Sequence, residues 1–324
     1  MNQKVYYINE LGYSSGTHQF DKHRLPQGYI DLLSWHSLGW NHLNEIQGEN
    51  NIIIIQTPCD NELEKLQLVL PLLDKHKIFI TQESNIYDWF DWGGKEQELY
   101  IQILSKCSGF LYHSEHDKKV MEIFISNFVK YPGCSNLFID QPKSFKTGKY
   151  IIVASPLKGY QRGMISHKLA VDTIKHIPIY APQYTRPVQI HPSKMFIPRP
   201  DVYNLEGINL VDRMNVDQWL SFIYSSKFGI DIHREFSGGN VSLEFGSLAT
   251  PLIGNIHLDT QRDIFPDLSF EFTDYKSIKN AIKLLINDKD FYEEVSKKAL
   301  SNTKEKYNSE LITSNFNKEL TQFL

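Results

Sequence analysis

The stretch Phe228-Gly-Ile-Asp-Ile-His-Arg-Glu-Phe-Ser-Gly-Gly-Asn-Val-Ser-Leu-Glu-Phe-Gly-Ser-Leu-Ala-Thr-Pro-Leu-Ile-Gly254 decides how this chain folds. It starts as an apolar strand over Phe228–Ile232 and turns at Gly238-Gly239. A helix opens near Asn240, and a second apolar strand follows at Pro251–Gly254. Strand, turn, helix and strand in that order make a parallel βαβ unit, since parallel neighbours need a crossover, usually a helix. Free N–H groups at such a helix start, with no side chains in the way, form an anion site suited to a diphosphate. Asn240 and Ser242 are residue types that cap a helix start. Glu244 lies about one turn further on, where a carboxylate can accept two hydrogen bonds from vicinal hydroxyls such as those of a ribose. The same residues also fit a plain Gly-Gly turn with Glu244 as an exposed helix residue.

Outward from this unit, apolar runs recur at βα spacing. Strands are predicted at Tyr150–Ala154, Ile177–Tyr180, Gly207–Val211 and Ser269–Phe272, and helices at Met164–Lys175, Val216–Ser225, Val241–Leu248, Tyr275–Ile286 and Phe291–Lys306. The first half repeats the pattern with strands at Lys4–Ile8, Asn51–Gln56, Lys77–Thr81, Gly109–His113 and Phe128–Tyr131. Between them, Leu63, Leu66, Leu70 and Leu73 mark a helix over Asn61–Lys75. The polar run Gln141–Lys149 reads as a linker. The fold class is therefore α/β, with two Rossmann-like doubly wound domains, 1–145 and 146–324, facing a central cleft. The last segment, Ser309–Phe323, carries one apolar stripe and is expected to pack back as a helix.

A second cluster follows the first strand of the C-terminal half: Ala154-Ser-Pro-Leu-Lys158-Gly-Tyr-Gln-Arg162-Gly-Met. Lys158 and Arg162 stand four apart in a loop at the carboxyl edge of a parallel sheet, the edge where open α/β sheets bind ligands. Two cations there would neutralise a leaving diphosphate, the arginine by a bidentate fork and the lysine as a point charge.

Composition narrows the function. The chain has 324 residues, 41% apolar and 22% charged, ordinary for a globular protein and long enough for two cores. A net charge of −4 supplies no global attraction for nucleic acid or membrane. Two stretches are locally basic, Lys143–Lys149 and Arg186–Arg199, and fit either solvated loops or an acceptor-binding surface. The apolar run Ile52–Ile55 is far too short for a membrane span. The start of the chain lacks the build of a signal peptide, so a cytoplasmic protein is expected. Cys59, Cys107 and Cys134 form no CxxC pair and read as reduced core thiols. His18, His23, His36, His42 and His113 show no metal-ligand spacing, and no motif requires a metal. The aromatic run Tyr87-Asp-Trp-Phe-Asp-Trp92 fits a platform for a sugar or base, or a surface-packed loop. No GxGxxG follows the first strand, which argues against a bound NAD.

The stretch Glu244–Gly254, with its glutamate, small residues and Thr-Pro, resembles the donor-binding helix and strand of GT-B glycosyltransferases. The similarity in motif order covers most of the C-terminal half and is greatest to the phage DNA glucosyltransferases that modify hydroxymethylcytosine. In that family two arginines four apart grip the donor diphosphate; Lys158 and Arg162 occupy those places, with Gly238, Gly239 and Asn240 completing the diphosphate site. The resemblance implies that Glu244 holds the ribose and that Asp231 lies near the nucleotide. The run Leu258-Asp-Thr-Gln-Arg262, Phe270 and Tyr275–Leu285 is similar in order and spacing. Many retaining members carry two glutamates eight apart; Glu235 and Glu244 are nine apart, and Glu235 is carried over only to the vicinity of the sugar or acceptor, beside Gly16 of the glycine-bearing loop after the first strand. In the N-terminal half only the order of elements is similar. Inverting phage members place a general base just after the strand matching Lys77–Thr81, which implies Glu83, or Gln82 in an alternative alignment, with Asp88 and Asp91 as further candidates.

The implied activity is transfer of a hexose from a nucleotide sugar, UDP by default, to a hydroxyl. Hydroxymethylated pyrimidine in phage DNA would be the acceptor, and the site the host cytoplasm if the source is viral. A glycan or small-molecule acceptor, a non-catalytic nucleotide-sugar-binding protein and a sugar epimerase are the alternatives. No cofactor is obligatory; phage relatives often respond to a divalent ion, Mg or Mn. The oligomeric state is left open.

Overall fold

The computed structural model describes residues 4–9, 35–58, 62–82, 86–131, 133–135, 137–154, 163–182, 206–211, 214–232 and 239–323. The chain separates into two compact units, one holding residues 1–134 and 309–324, the other 135–235 and 239–308.

The first unit is built on six parallel strands: β1 (Val5–Asn9), β2 (His36–Gly39), β3 (Ile52–Gln56), β4 (Lys77–Thr81), β5 (Gly109–Tyr112) and β6 (Phe128–Lys130). Their order, β2-β1-β3-β4-β5-β6, follows the flavodoxin-like pattern. All four isoleucines from Ile52 to Ile55 are buried, as required of a central strand covered by helices on both faces. Those helices include α1 (Glu62–Leu73), which buries Leu66 and Val69, and α2 (Gly94–Lys106), which buries Tyr100, Ile103 and Leu104. The short α3 (Glu115–Met121) opens on a reciprocal cap: the Asp117 N–H donates to Ser114 Oγ, and the Ser114 N–H donates to the Asp117 carboxylate.

The final helix, Ser309–Thr321, belongs to this unit and packs back as expected. Phe316 meets Trp35 and Tyr131 at ring-centre distances of 5.7 and 5.5 Å, and Glu319 accepts the Lys130 N–H at 2.9 Å. The division between units falls at 134/135 rather than 145/146, and the last sixteen residues count with the first sheet, because their apolar stripe is buried on its aromatic residues.

The second unit holds β7 (Ile151–Val153), β8 (Ile179–Pro182), β9 (Ile208–Val211), β10 (Phe228–Asp231), β11 (Leu252–Asn255) and β12 (Ser269–Phe270), all parallel. The order β12-β11-β10-β7-β8-β9 is the Rossmann arrangement, 3-2-1-4-5-6 counted from β7. Its helices are α4 (Met164–Thr173), α5 (Val216–Ser225), α6 (Asn240–Ser247), α7 (Asp259–Ile264), α8 (Tyr275–Asn287) and α9 (Lys289–Lys306). Sequence reasoning missed β2. His36-Ser-Leu-Gly39 has no β-branched residue, and it is a strand only because its backbone pairs with β1 from Tyr6 to Asn9.

The polar run 141–149 is also more than a linker. Lys143 is 4% exposed, and its ammonium donates to the carbonyls of Ser226 and Ile223 at the carboxyl end of α5 and to Thr250 Oγ1. A cation at that end complements the helix dipole. Burial, with Lys227 nearby, pushes the Lys143 pKa down to about 7. An unfolded lysine keeps its proton to about pH 10.4. Above pH 7 the unfolded chain thus binds more protons than the folded one, and stability rises with pH. The gain ends near pH 8.5, where unfolded thiols ionise while burial holds the folded Cys107 and Cys134 protonated to about pH 12 and 11. The unfolding free energy from urea titration is expected to rise by about 1–2 kcal/mol from pH 7 to 8.5, with the midpoint rising alongside it, and Lys143→Met should flatten that slope. A parent midpoint that does not rise over this range would contradict the assignment.

Candidate functional site

In the second sheet, strand order reverses between β7 and β10, and the crevice at such a switch point is where open α/β sheets take ligands. Two backbone ties hold the strand ends there. Ala154 N–H donates to Ile230 O at 2.9 Å. Ser166, fully buried in the first turn of α4, accepts the Ile232 N–H at 2.7 Å and donates to the Ile232 carbonyl at 2.9 Å. Asp231 ends β10 and is buried. Segments 155–162 and 233–238, which follow β7 and β10, lie outside the described residues; so do Lys158, Arg162, Glu235 and Gly238.

The description resumes at Gly239, the residue before α6. Its φ of 68° lies in the left-handed region, and a Cβ there would overlap Thr260 Oγ1. The Thr260 hydroxyl donates to the Gly239 carbonyl at 3.1 Å, and that carbonyl also accepts the Ser242 N–H at 3.1 Å. Neither expected cap operates. Asn240 is already the first helical residue, and among the described residues no side chain caps the start. Ser242 Oγ donates instead to Gln261 Oε1 at 2.9 Å, and Gln261 donates to Leu252 O at 2.9 Å. Buried Ser242, Thr260 and Gln261 thus tie the first turn of α6 to β11 and α7. Among the described residues no acceptor meets the N–H groups of Asn240 or Val241. Open amides at a pinned, glycine-led helix start are the chemistry that holds an anion.

Glu244, one turn further, is half-buried rather than exposed. The indole N–H of Trp219, on α5, donates to its Oε2 at 2.7 Å. No motif marks this pair: a tryptophan in an amphipathic helix reads as core, and the two residues are far apart in the chain. The similar run at Leu258–Arg262 opens α7, where Arg262 donates to Asp259 at 2.9 Å and to Ile256 O at 3.3 Å.

In the first unit, Glu83 and Gly16 lie outside the described residues. Gln82 is buried just beyond β4. Asp88 and Asp91 are exposed on one 3₁₀ turn anchored by Trp89, which is buried edge-on against Tyr100 and Phe124. The aromatic run is therefore divided: Trp89 is core, while Tyr87 and Phe90 are exposed and Tyr87 OH pairs with His116 Nε2 at 2.8 Å. His113 is buried, its Nε2 3.3 Å from Thr81 Oγ1. Among the described residues no group of His, Cys, Asp or Glu is placed to hold a metal ion, and no helix is long and apolar enough to cross a membrane.

No protein-family model matches the chain, and no curated protein matches it in sequence. Solved structures do match in fold. Sucrose-phosphate synthase from Thermosynechococcus elongatus superposes with a TM-score of 0.67 at 12% identity, covering 99% of this chain and 98% of that one. Anabaena HepE, held with UDP-glucose, gives a TM-score of 0.67 at 10% identity, covering 99% and 100%. S. aureus TarM, held with fondaparinux, alpha-GlcNAc-glycerol and UDP, gives 0.62 at 17% identity; 86% of this chain is covered, and it spans 57% of TarM's length. Two parallel six-stranded sheets flanked by helices are the GT-B fold of these neighbours.

Proposed function

We propose that the chain is a glycosyltransferase that moves a hexose from a UDP-sugar to a hydroxyl acceptor. The observation that carries this reading is the start of α6, where a left-handed glycine leads two amides that meet no acceptor among the described residues, with a carboxylate one turn on, beside the switch point of a Rossmann-ordered sheet. Neighbours of the same fold held with UDP or UDP-glucose support the choice of donor.

In this reading the second unit takes the donor and the first the acceptor. Lys158, Arg162 and the amides of Gly238, Gly239 and Asn240 hold the diphosphate and stabilise the charge that develops on it. Glu244 accepts from the ribose hydroxyls, and Asp231 stands beside the nucleotide. Glu235 and Gly16 border the sugar. The bond from the anomeric carbon to the diphosphate oxygen breaks as the acceptor oxygen bonds to that carbon. Glu83 receives the acceptor's proton, and UDP leaves with the electron pair. A divalent ion would add charge to the same diphosphate.

Two acceptor classes fit, hydroxymethylated pyrimidine in phage DNA and a glycan or small molecule. Phosphate contacts dominate DNA affinity. The net charge of −4, and the burial of Lys143 away from the first basic stretch, favour the glycan or small molecule.

Glu244→Ala tests the donor site. UDP affinity measured by calorimetry is expected to fall by about tenfold or more, with the far-UV circular dichroism of the parent retained. Equal UDP affinity in variant and parent would remove Glu244 from the site.

A further inference from the structure

We propose that Trp219 is a positioning residue for the nucleotide: its indole holds the Glu244 carboxylate in the orientation that reads the ribose 2′-hydroxyl. The inference rests on the assignment of Glu244 to the ribose made above.

Trp219 is 7% exposed and sits in the first turn of α5. That turn is itself held by a reciprocal cap: the Gln218 N–H donates to Asn215 Oδ1 at 2.8 Å, and the Asn215 N–H donates to Gln218 Oε1 at 3.0 Å. Phe222, one turn on, flanks the indole at a ring-centre distance of 6.1 Å. The indole therefore has a set place from which to point its N–H.

At 2.7 Å the contact to Glu244 Oε2 is short, as charge-assisted hydrogen bonds are. An indole N–H only donates, and a carboxylate offers about four acceptor positions. The contact itself occupies one of those positions. A glutamate on a helix has three rotatable torsions, and freezing them on ligand arrival weakens binding. A carboxylate already held by the indole meets the ribose without that loss. It also rejects an analogue lacking a hydroxyl, because a fixed polar group cannot turn away to find another partner.

Trp219→Phe keeps an aromatic ring and removes the donor. UDP and 2′-deoxy-UDP are titrated by calorimetry into the full-length parent, Trp219→Phe, Trp219→Leu and Glu244→Ala. The parent is expected to prefer UDP. In Trp219→Phe, UDP affinity should fall by about tenfold while 2′-deoxy-UDP affinity stays near the parent's, so that the preference collapses as it does in Glu244→Ala. Binding of 2′-deoxy-UDP also reports that the variant is folded. Trp219→Leu should show the same selective loss, and serves if Trp219→Phe does not fold. The proposal is overturned if a folded Trp219 variant keeps the parent's preference, or if both ligands weaken equally. A parent that binds neither nucleotide, or a Glu244→Ala variant that keeps the preference, overturns the ribose assignment itself.

Discussion

Glu83→Gln is expected to lower the rate of UDP release from UDP-glucose by about a hundredfold to ten-thousandfold, with UDP affinity near the parent's. The acceptor hydroxyl, or water in its place, must lose a proton as its oxygen bonds to the anomeric carbon. A carboxylate takes that proton and an amide does not. The neighbours supply the controls. Gln82 is buried and carries no basic group, so it cannot replace Glu83 in this step. Asp88 and Asp91 are exposed on a turn held by buried Trp89, and Asp88→Asn and Asp91→Asn should leave the rate near the parent's. If Glu83→Gln keeps the parent rate while one of those two variants loses it, the base is that aspartate.

Gly239→Ala should both destabilise the second unit and weaken the donor. A left-handed φ costs a residue with a Cβ about 1–2 kcal/mol, and the new methyl would meet Thr260 Oγ1, forcing a rearrangement worth about 1–3 kcal/mol more. The hydroxyl that must move is the one holding the Gly239 carbonyl, so the helix start shifts and its open amides lose their aim. Urea unfolding should register a loss of about 2–5 kcal/mol, and UDP affinity should fall by at least about tenfold. Adding Thr260→Ala removes the overlapping oxygen and should restore part of the stability lost to the clash, leaving the φ cost. A Gly239→Ala variant with parent stability would mean that the turn is not left-handed in solution.

Strands of buried β-branched residues, such as Ile52–Ile55 and Ile151–Val153, were legible in the sequence because a central parallel strand leaves no polar position to obscure them. The helix bearing Glu244 was legible for a related reason: a Gly-Gly turn between two such strands has few other readings. What escaped notice depends on partners distant in the chain. His36–Gly39 becomes a strand through pairing with β1 alone. Lys143 looks like a solvated loop lysine until the carbonyls at the end of α5 are placed around it. Trp219 and Thr260 shape the site by one hydrogen bond each, to Glu244 and to the Gly239 carbonyl, and neither bond leaves a spacing that a motif could encode. The caps expected of Asn240 and Ser242 failed because Gln261 takes the serine hydroxyl and glycine geometry opens the helix without one.

Incubating the parent chain with UDP-glucose and following the anomeric proton by NMR tests glycosyl transfer most directly. Slow conversion to UDP and free glucose is expected, with water standing in for the acceptor. A donor that binds stoichiometrically yet stays intact would make the chain a nucleotide-sugar-binding protein. A sugar whose configuration changes while still attached to UDP would make it an epimerase. Either result contradicts a glycosyltransferase.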